Sequence, residues 1–257
     1  PMITRHRHLA RARANMMLGH VSEALSALDL LAVEVSLVEL AHEGPDGANL
    51  RAAVLVTMGE LDAADEINLK ELDGARVAHL RPVLEASLIG LAESRLAGGA
   101  RRSSMRYLGD AVRARIGPYP FRWQQRGRIR LLQARLELAA GKFDRALTSA
   151  RELLAESTRS GDAVRALAAR LLEAEALAAS GEAVDTKAIG DVLKRSADVL
   201  GGESWRLTAR LAKLTRNTGW SVLAERQLEH LIQASGAHGT SVRTVADAYR
   251  ERLASTA

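Results

Sequence analysis

Apolar residues recur along most of the chain at intervals of three and four positions, with charged residues between them. Near the start, for example, Leu25, Leu28 and Leu31 keep this spacing. An α-helix has about 3.6 residues per turn, so this spacing places the three side chains on one side of a helix. Two such stripes meet at Gly141 in the middle of the chain. The pattern there predicts two amphipathic helices joined by a tight turn.

The same turn pattern occurs six times at a nearly constant interval. The turn glycines, which are 40, 40, 42, 40 and 38 residues apart, are Gly19, Gly59, Gly99, Gly141, Gly181 and Gly219. Seven residues before them stand the alanines Ala12, Ala52, Ala92, Ala134, Ala174 and Ala212. Five residues after them stand Ala24, Ala64, Ser104, Ala146, Thr186 and Ala224. A fixed period of this length is typical of a row of stacked helical hairpins.

We therefore predict an all-α protein: a right-handed α-solenoid of six helical hairpins plus a C-terminal capping helix, forming one domain over residues 1–257. The predicted hairpins cover about residues 3–43, 48–73, 82–116, 121–160, 162–200 and 204–235, and the cap covers about 241–255. Residues 44–47 and 73–74 are predicted to lie between helices, because both segments contain glycine and the first also contains proline. In the fifth hairpin, Ala188 rather than Thr186 is predicted to fill the small-residue position.

The recurring small residues have a steric explanation. The two helices of a hairpin approach closely only where the side chains are small, so the alanines before and after each glycine are expected to face each other. The glycine lets the chain leave the first helix through a left-handed residue. A bulky side chain at one of these positions is expected to cost about 1–3 kcal/mol through overpacking.

Composition narrows the class of protein. The chain has no cysteine, which excludes disulfides, thiolate metal sites and a cysteine nucleophile and fits a cytoplasmic location. No segment approaches the roughly 18 uninterrupted apolar residues of a membrane-spanning helix, so a membrane is not expected as a partner. The chain starts with Pro1 and Met2, an unusual start that favours a fragment of a longer protein.

The net charge of +5 is unevenly distributed. Residues 34–93 contain twelve acidic and four basic residues, whereas residues 94–135 contain eleven arginines and one acidic residue, Asp110. Attraction between these two sections predicts an intramolecular clasp or head-to-tail self-association. An arginine bias of this kind is also typical of a GC-rich genome, and that explanation stays open.

The central turn resembles a known repeat family. Residues 141–147, Gly-Lys-Phe-Asp-Arg-Ala-Leu, with Ala134 before them, are similar to the tetratricopeptide repeat, which has a small residue and then Gly-Asp-Tyr-x-x-Ala-Leu at this spacing. The turns at Gly19 and Gly59 match more loosely. The period exceeds the family's length of about 34 residues, and the family's aromatic residues and terminal proline are missing. Longer, alanine-rich repeats of this kind resemble the C-terminal sensor regions of large bacterial signal-transduction ATPases and LuxR-type activators.

No catalytic or cofactor-binding motif is present, so we expect neither an enzyme nor a bound cofactor. The sequence lacks the phosphate-binding loops GxxxxGK[ST] and GxGxxG, the HExxH motif and the Gly-x-Ser-x-Gly nucleophile elbow. His6 and His8 are two residues apart, which places them on different sides of a helix and disfavours a metal site. Glu173 and Glu175 are separated in the same way, which disfavours a catalytic carboxylate pair.

The resemblance implies a binding surface. In tetratricopeptide proteins the first helices of the hairpins line the concave face, which suggests counting back six and thirteen residues from each glycine. The candidate partner-binding residues found in this way are Arg13, Glu93, Arg128, Arg135, Glu175, Arg206 and Lys213. We expect this groove to bind a protein or peptide segment, with Arg128, Arg135 and Lys213 holding its carboxylates. Solvated charges on an unused face are the alternative explanation.

A second candidate surface combines basic and aromatic residues, which is typical of nucleic-acid or other polyanion binding. Its residues are Arg101, Arg102, Arg106, Arg122, Trp123 and Arg126. The aromatic residues of this stretch also fit an explanation in which they only pack a proline-containing loop. Nucleic-acid binding and oligomerisation therefore stay as alternatives to protein or peptide binding in a signalling or transcription-regulating protein.

Overall fold

The computed structural model describes the backbone of residues 2–36, 44–114, 122–197 and 201–255, and the side chains of residues 6–33, 47–114, 125–196 and 202–254. These residues form helices and turns without any β-strand, which confirms the all-α prediction for the described part of the chain. The α-helices are α1 (Met2–Met17), α2 (Val21–Ser36), α3 (Gly44–Met58), α4 (Leu61–Val77), α5 (Arg81–Ala97), α6 (Arg101–Ala114), α7 (Arg122–Ala139), α8 (Phe143–Ser160), α9 (Ala163–Ser180), α10 (Thr186–Ala197), α11 (Ser204–Thr215), α12 (Thr218–Ala234) and α13 (Gly239–Ser255). The 3-10 turns Gly201–Glu203 and Gly236–His238 precede α11 and α13.

Five of the six predicted glycines form left-handed turns between consecutive helices. The φ angles are 78° at Gly19, 82° at Gly59, 81° at Gly99, 70° at Gly141 and 81° at Gly181. In each turn the residue after the glycine donates its backbone N–H to the carbonyl oxygen five positions before itself, at 2.8–2.9 Å. This hydrogen bond ends the first helix, and in the first four turns the second helix begins two residues after the glycine.

The sixth turn forms three residues earlier than predicted. Arg216, not Gly219, has the left-handed conformation, with a φ of 54°. The Asn217 N–H donates to the Ala212 carbonyl oxygen at 2.9 Å, and the Asn217 side chain accepts from the Trp220 N–H at 3.1 Å. Asparagine is a strong N-cap residue, so α12 begins directly after it and contains Gly219. The prediction of a glycine turn is wrong at this position.

The small residues of the repeat are buried where the hairpin helices meet. At most 3% of the surface is exposed for Ala12, Ala52, Ala92, Ala134, Ala174 and Ala212. The same limit holds for Ala24, Ala64, Ser104, Ala146 and Ala224 on the second helices. Ser104 Oγ donates a hydrogen bond to the Ala92 carbonyl oxygen at 2.7 Å, which shows that the two positions face each other in the third hairpin.

The fifth hairpin departs from this pattern. Thr186 and Ala188 are both exposed, so the prediction that Ala188 fills the small-residue position is wrong. The reason is that α10 begins five residues after Gly181, whereas the second helices of the first four hairpins begin two residues after their glycines. Val192 and Leu193, which are 2% and 0% exposed, provide the packing instead.

Two predicted helix boundaries lie inside helices. Residues 44–47 form the first turn of α3, where the missing N–H of a proline costs little. α4 continues through Gly74 to Val77, and the chain turns only at His79, which has a φ of 55°. The second hairpin is therefore longer than the predicted range of 48–73.

The odd-numbered helices form the inner layer of the molecule. The odd-numbered helices α1, α3, α5, α7 and α9 each pack against the next odd-numbered helix. Consecutive even-numbered helices have no comparable contacts among the described residues. The row curves until its ends meet, since α12 contacts α2, α13 contacts α3, and the turn Gly201–Glu203 contacts α1 and α3. One core cluster contains residues from both ends, including Met58 and Trp205. The inside of this curve is the inner face, and it is lined by the odd-numbered helices.

Gly141 and Gly74 are expected to respond oppositely to substitution by alanine. A Cβ atom at either position meets nothing within 4 Å, so the backbone conformation alone distinguishes the two. Gly141→Ala puts an alanine at a φ of 70° and is expected to lower the free energy of unfolding by about 1–2 kcal/mol. Gly74→Ala lies within α4 and is expected to raise it by about 0.5–1 kcal/mol. Urea denaturation measures both, and a destabilised Gly74→Ala variant contradicts the helical position of Gly74.

Candidate functional site

Charged side chains from the odd-numbered helices meet on the inner face. They form three arginine–glutamate pairs, which we call the inner charge network: Arg128–Glu93, Arg135–Glu203 and Arg210–Glu175. The first pair is bidentate, with Arg128 Nε donating to Glu93 Oε1 at 3.2 Å and Arg128 Nη2 donating to Glu93 Oε2 at 2.7 Å. Two parallel hydrogen bonds of this kind fix the guanidinium plane as well as its distance.

The spacing of the arginines on α7 explains how this helix takes part in two of the three pairs. Arg128 and Arg135 are seven residues apart, which is close to two helical turns, so they project from the same side of the helix. Arg128 reaches Glu93 on α5, and Arg135 reaches Glu203 at the start of α11. Since α9 lies between α7 and α11 in the row, the Arg135–Glu203 pair passes over α9. Side chains of two helices that are separated by a third, as α7 and α11 are by α9, can meet in this way only on the concave side of a curved row.

The network is only partly shielded from solvent. The Glu175 side chain is 3% exposed, whereas Arg135 and Glu203 keep 21% and 43% exposure. Burial raises the pKa of Glu175 above its ordinary value, and the charges of Arg210 and Arg135 offset this only in part. Burial acts in the same direction on Glu203, but the charge and the hydrogen bonds of Arg135 outweigh it and lower the pKa of Glu203. The inner face therefore presents ionised groups that a solute can reach.

Arg206 lies beside the network but outside its pairs. Its guanidinium carbon is 5.4 Å from the centroid of the Trp205 ring, and its buried Nε has no hydrogen-bond partner among the described residues. Burial lowers the pKa of Arg206, Glu203 raises it, and Arg252 and Arg135 lower it further. Among the described residues, the Arg206 Nε therefore lacks an acceptor, and two neighbouring arginines repel its charge.

Helix α13 covers part of the inner face. The Tyr249 hydroxyl donates to the Arg206 carbonyl oxygen at 3.2 Å, and the Tyr249 ring meets the Trp205 ring edge-on at 5.3 Å. Burial raises the pKa of Tyr249 to about 12, so this hydroxyl is protonated at neutral pH. Arg252 Nη2 donates to the Ala97 carbonyl oxygen at the end of α5, at 3.3 Å. The predicted capping helix thus connects α11 to α5.

The structure brings most of the predicted partner-binding residues together. Four of the seven belong to the inner charge network, namely Glu93, Arg128, Arg135 and Glu175. Arg206 lies beside it. Lys213 donates its ammonium group to the Leu253 carbonyl oxygen of α13. Arg13 is exposed on α1 and has no ion pair with the network in the described structure.

The sequence prediction misses Glu203 and Arg210 because it counts the sixth hairpin from Gly219. Arg216 holds the turn conformation, and the residues six and thirteen positions before it are Arg210 and Glu203. The signal in the sequence is Asn217, a strong N-cap residue two positions before the glycine. Tyr249 and Arg252 lie on the cap, which is outside the repeat, so no repeat position indicates them.

The predicted polyanion surface is divided in the structure. The side chains of Arg122 and Trp123 lie outside the described residues. Arg101 donates to the Ala139 carbonyl oxygen at 2.8 Å and so caps the end of α7. Arg106 stacks on the neighbouring tyrosine ring at 5.0 Å. Both arginines therefore have structural contacts within the chain.

The other two arginines of that surface are more open. Arg102 is exposed on α6, and Arg126 lines an open cavity of about 400 Å³ between α7 and α8. The other lining residues of this cavity are Arg130, Glu156, Arg159 and Ser160. Arg130 forms an ion pair with Glu156. The cavity thus carries three guanidiniums and one carboxylate.

The acidic and basic sections of the chain contact each other within one molecule. Asp65 pairs with Arg95 at 2.6 Å, and Glu93 pairs with Arg128 at 2.7 Å. Each pair joins an acid of residues 34–93 to an arginine of residues 94–135. The expected attraction therefore operates inside the chain, and self-association stays a prediction.

Comparisons of the chain with models of protein families, with curated proteins and with solved structures find no match. Within the described residues, no group of three or more His, Cys, Asp or Glu side chains is placed to hold a metal ion. The helices of that same part of the chain lack the length and apolar character needed to cross a membrane.

Two glutamine substitutions are expected to change stability with opposite pH dependence. The pKa of Glu203 is lowered from 4.5, so the ionised carboxylate stabilises the folded chain above that pH, and this contribution is lost as the pH falls through the lowered pKa. Glu203→Gln is therefore expected to be destabilised relative to the parent at pH 7 and to lose this difference on acidification.

The pKa of Glu175 is raised from 4.5, so ionisation of Glu175 destabilises the folded chain as the pH rises from about 4.5 through the raised pKa. Glu175→Gln is therefore expected to gain stability relative to the parent over that range.

Urea denaturation between pH 3 and pH 7 measures both differences. Each variant is compared with the parent chain at the same pH, so acid effects on other groups cancel. Parallel pH dependence in the two variants contradicts the opposite environments of these glutamates.

Proposed function

We propose that this chain is a non-catalytic scaffold that binds a protein or peptide segment on its inner face. The observation that carries the proposal is the convergence of guanidinium and carboxylate groups from α5, α7, α9 and α11 on one partly exposed surface. The helices hold these groups at fixed separations, which reduces the entropy lost on binding. A surface of this kind selects a ligand by complementary charge.

The alternation of charge favours a polypeptide ligand over a uniformly charged polymer. Carboxylates and guanidiniums are interspersed along the inner face, as acidic and basic side chains are in a peptide. Arg135 uses Nη1 and Nη2 to hold Glu203, and its Nε is engaged with no other described residue. A guanidinium has five N–H donors, so a ligand carboxylate is able to join such a pair without dismantling it.

We further propose that the helices form a right-handed solenoid of tetratricopeptide-like hairpins. The left-handed turns, the buried small residues and the stacking of odd-numbered helices support this assignment. The resemblance of long, alanine-rich repeats to bacterial sensor regions supports a place as the partner-sensing segment of a larger, cytoplasmic signalling or transcriptional regulator.

Polyanion binding is the second candidate function, and the open cavity at Arg126 favours it. Three guanidiniums line this cavity and only one carboxylate opposes them. A nucleic-acid ligand there is expected to lose affinity steeply with added salt, because binding releases counterions from the phosphates. Binding to DNA or RNA that does not depend on salt rejects this candidate.

Loss of the α7 arginines is expected to weaken peptide binding. In fluorescence anisotropy with a library of labelled peptides, the parent chain is expected to bind sequences that contain acidic residues. The double variant Arg128→Ala, Arg135→Ala is expected to bind them about tenfold or more weakly, since each arginine supplies a charge-assisted hydrogen bond. Circular dichroism checks that this double variant folds like the parent chain.

The matched control is the double variant Arg130→Ala, Arg151→Ala. These arginines also pair with glutamates, Glu156 and Glu173, but outside the inner charge network. The control therefore removes the same charge and breaks the same number of ion pairs. Equal losses in the two double variants, or no loss in either, contradict peptide binding on the inner face.

A further inference from the structure

The Arg206 guanidinium is incompletely satisfied by the described residues. Its Nε is buried without a hydrogen-bond partner among the described residues, and its guanidinium lies over the Trp205 ring. Buried donors in proteins nearly always have an acceptor, supplied by the protein, by water or by a ligand. Stacking on an aromatic ring holds the guanidinium in one orientation but supplies no acceptor in its plane.

The carboxylate beside Arg206 is shared with another arginine. Glu203 is the carboxylate that acts on it, but both oxygens of Glu203 already accept hydrogen bonds from Arg135. Arg252 and Arg135 lie close enough to lower the pKa of Arg206 by repulsion, and Tyr249 is uncharged at neutral pH. Three arginines, Arg206, Arg135 and Arg252, therefore lie near one another and near Glu203.

These arginines come from three separate elements. Arg135 lies on α7, Arg206 on α11 and Arg252 on α13, so the fold gathers them rather than the local sequence. The place is open to solutes, because Arg135 keeps 21% and Glu203 keeps 43% of its side-chain exposure. Like charges placed together at an accessible point favour binding of a small anion.

We propose that Arg206, Arg135 and Arg252 form a binding site for an oxyanion, a carboxylate or phosphate group of the ligand. The inference rests on the proposed function in one respect, since it assigns a charged group of that ligand to a particular place on the inner face. It adds Arg206 and Arg252 to the α7 arginines that the proposed function already assigns to ligand carboxylates. The planar guanidinium, with its pairs of N–H donors, matches the geometry of both oxyanions.

Isothermal titration calorimetry of the full chain tests this site. The probes are inorganic phosphate and glutarate, each titrated at constant ionic strength. Saturable binding is expected for one probe or both, and the probe that binds more tightly identifies the group. Arg206→Met is expected to weaken binding about tenfold or more, the loss of at least one charge-assisted hydrogen bond. Arg206→Lys keeps the charge and is expected to retain part of the affinity.

The matched control is Arg226→Met, which removes the same charge from an exposed position on α12 and is expected to bind like the parent. Tryptophan fluorescence gives a second readout, because the Arg206 guanidinium lies over the Trp205 ring. Arg252→Met tests the same site from α13 and is expected to weaken binding as well, which keeps the test valid should Arg206→Met fail to fold.

Three results overturn the inference: no saturable binding of either probe, binding unchanged in the Arg206→Met and Arg252→Met variants, or an equal loss in Arg226→Met. The anisotropy experiment separates this inference from the proposed function. Peptide binding without oxyanion binding removes the site and leaves the scaffold. Oxyanion binding without peptide binding contradicts the scaffold function and leaves the oxyanion site.

Discussion

Close approach of neighbouring helices through small side chains is the constraint on which the rest of this structure depends. The hydrogen bond from Ser104 to the Ala92 carbonyl oxygen shows how near two backbones come in one hairpin. Left-handed turns make this approach possible, because they reverse the chain within about two residues. Repetition of the same contact produces a curved row, and the curvature accumulates until α12 and α13 meet α2 and α3.

Curvature in turn places the charges. On the inside of the row, side chains from helices two places apart come within reach, and Arg135 therefore binds Glu203 over α9. Removing charged groups from water costs free energy. The attraction between the members of an ion pair offsets this cost only where their geometry is good. The opposite pKa shifts of Glu175 and Glu203 are two outcomes of this balance. Arg206 forms no ion pair of its own among the described residues, and its buried Nε has no acceptor there.

Sequence reasoning works here for features that depend on one hairpin and fails for those that depend on two competing signals or on distant contacts. The turn glycines and buried alanines follow from local steric rules. At the sixth turn, Asn217 starts the helix before Gly219 is reached, and the same shift hides two members of the inner charge network. Asn68 is polar but only 1% exposed, because it lies against Gly90, where a Cβ atom would be 2.6 Å from the Asn68 Oδ1. This contact joins α4 to α5, so the pattern within one hairpin does not show it. Tyr249 reaches the site because α13 packs against α11, and no periodic pattern encodes that contact.

A double-mutant cycle on Arg135 and Glu203 tests the central claim most directly, since this pair forms only if the inner face exists as described. The free energy of unfolding is measured by urea denaturation for Arg135→Met, Glu203→Gln, the double variant and the parent chain. The account predicts a coupling of about 0.5–1 kcal/mol that decreases with added salt, because both side chains are partly exposed. Additive effects, with no coupling at low salt, contradict the convergence of α7 and α11 on one inner face.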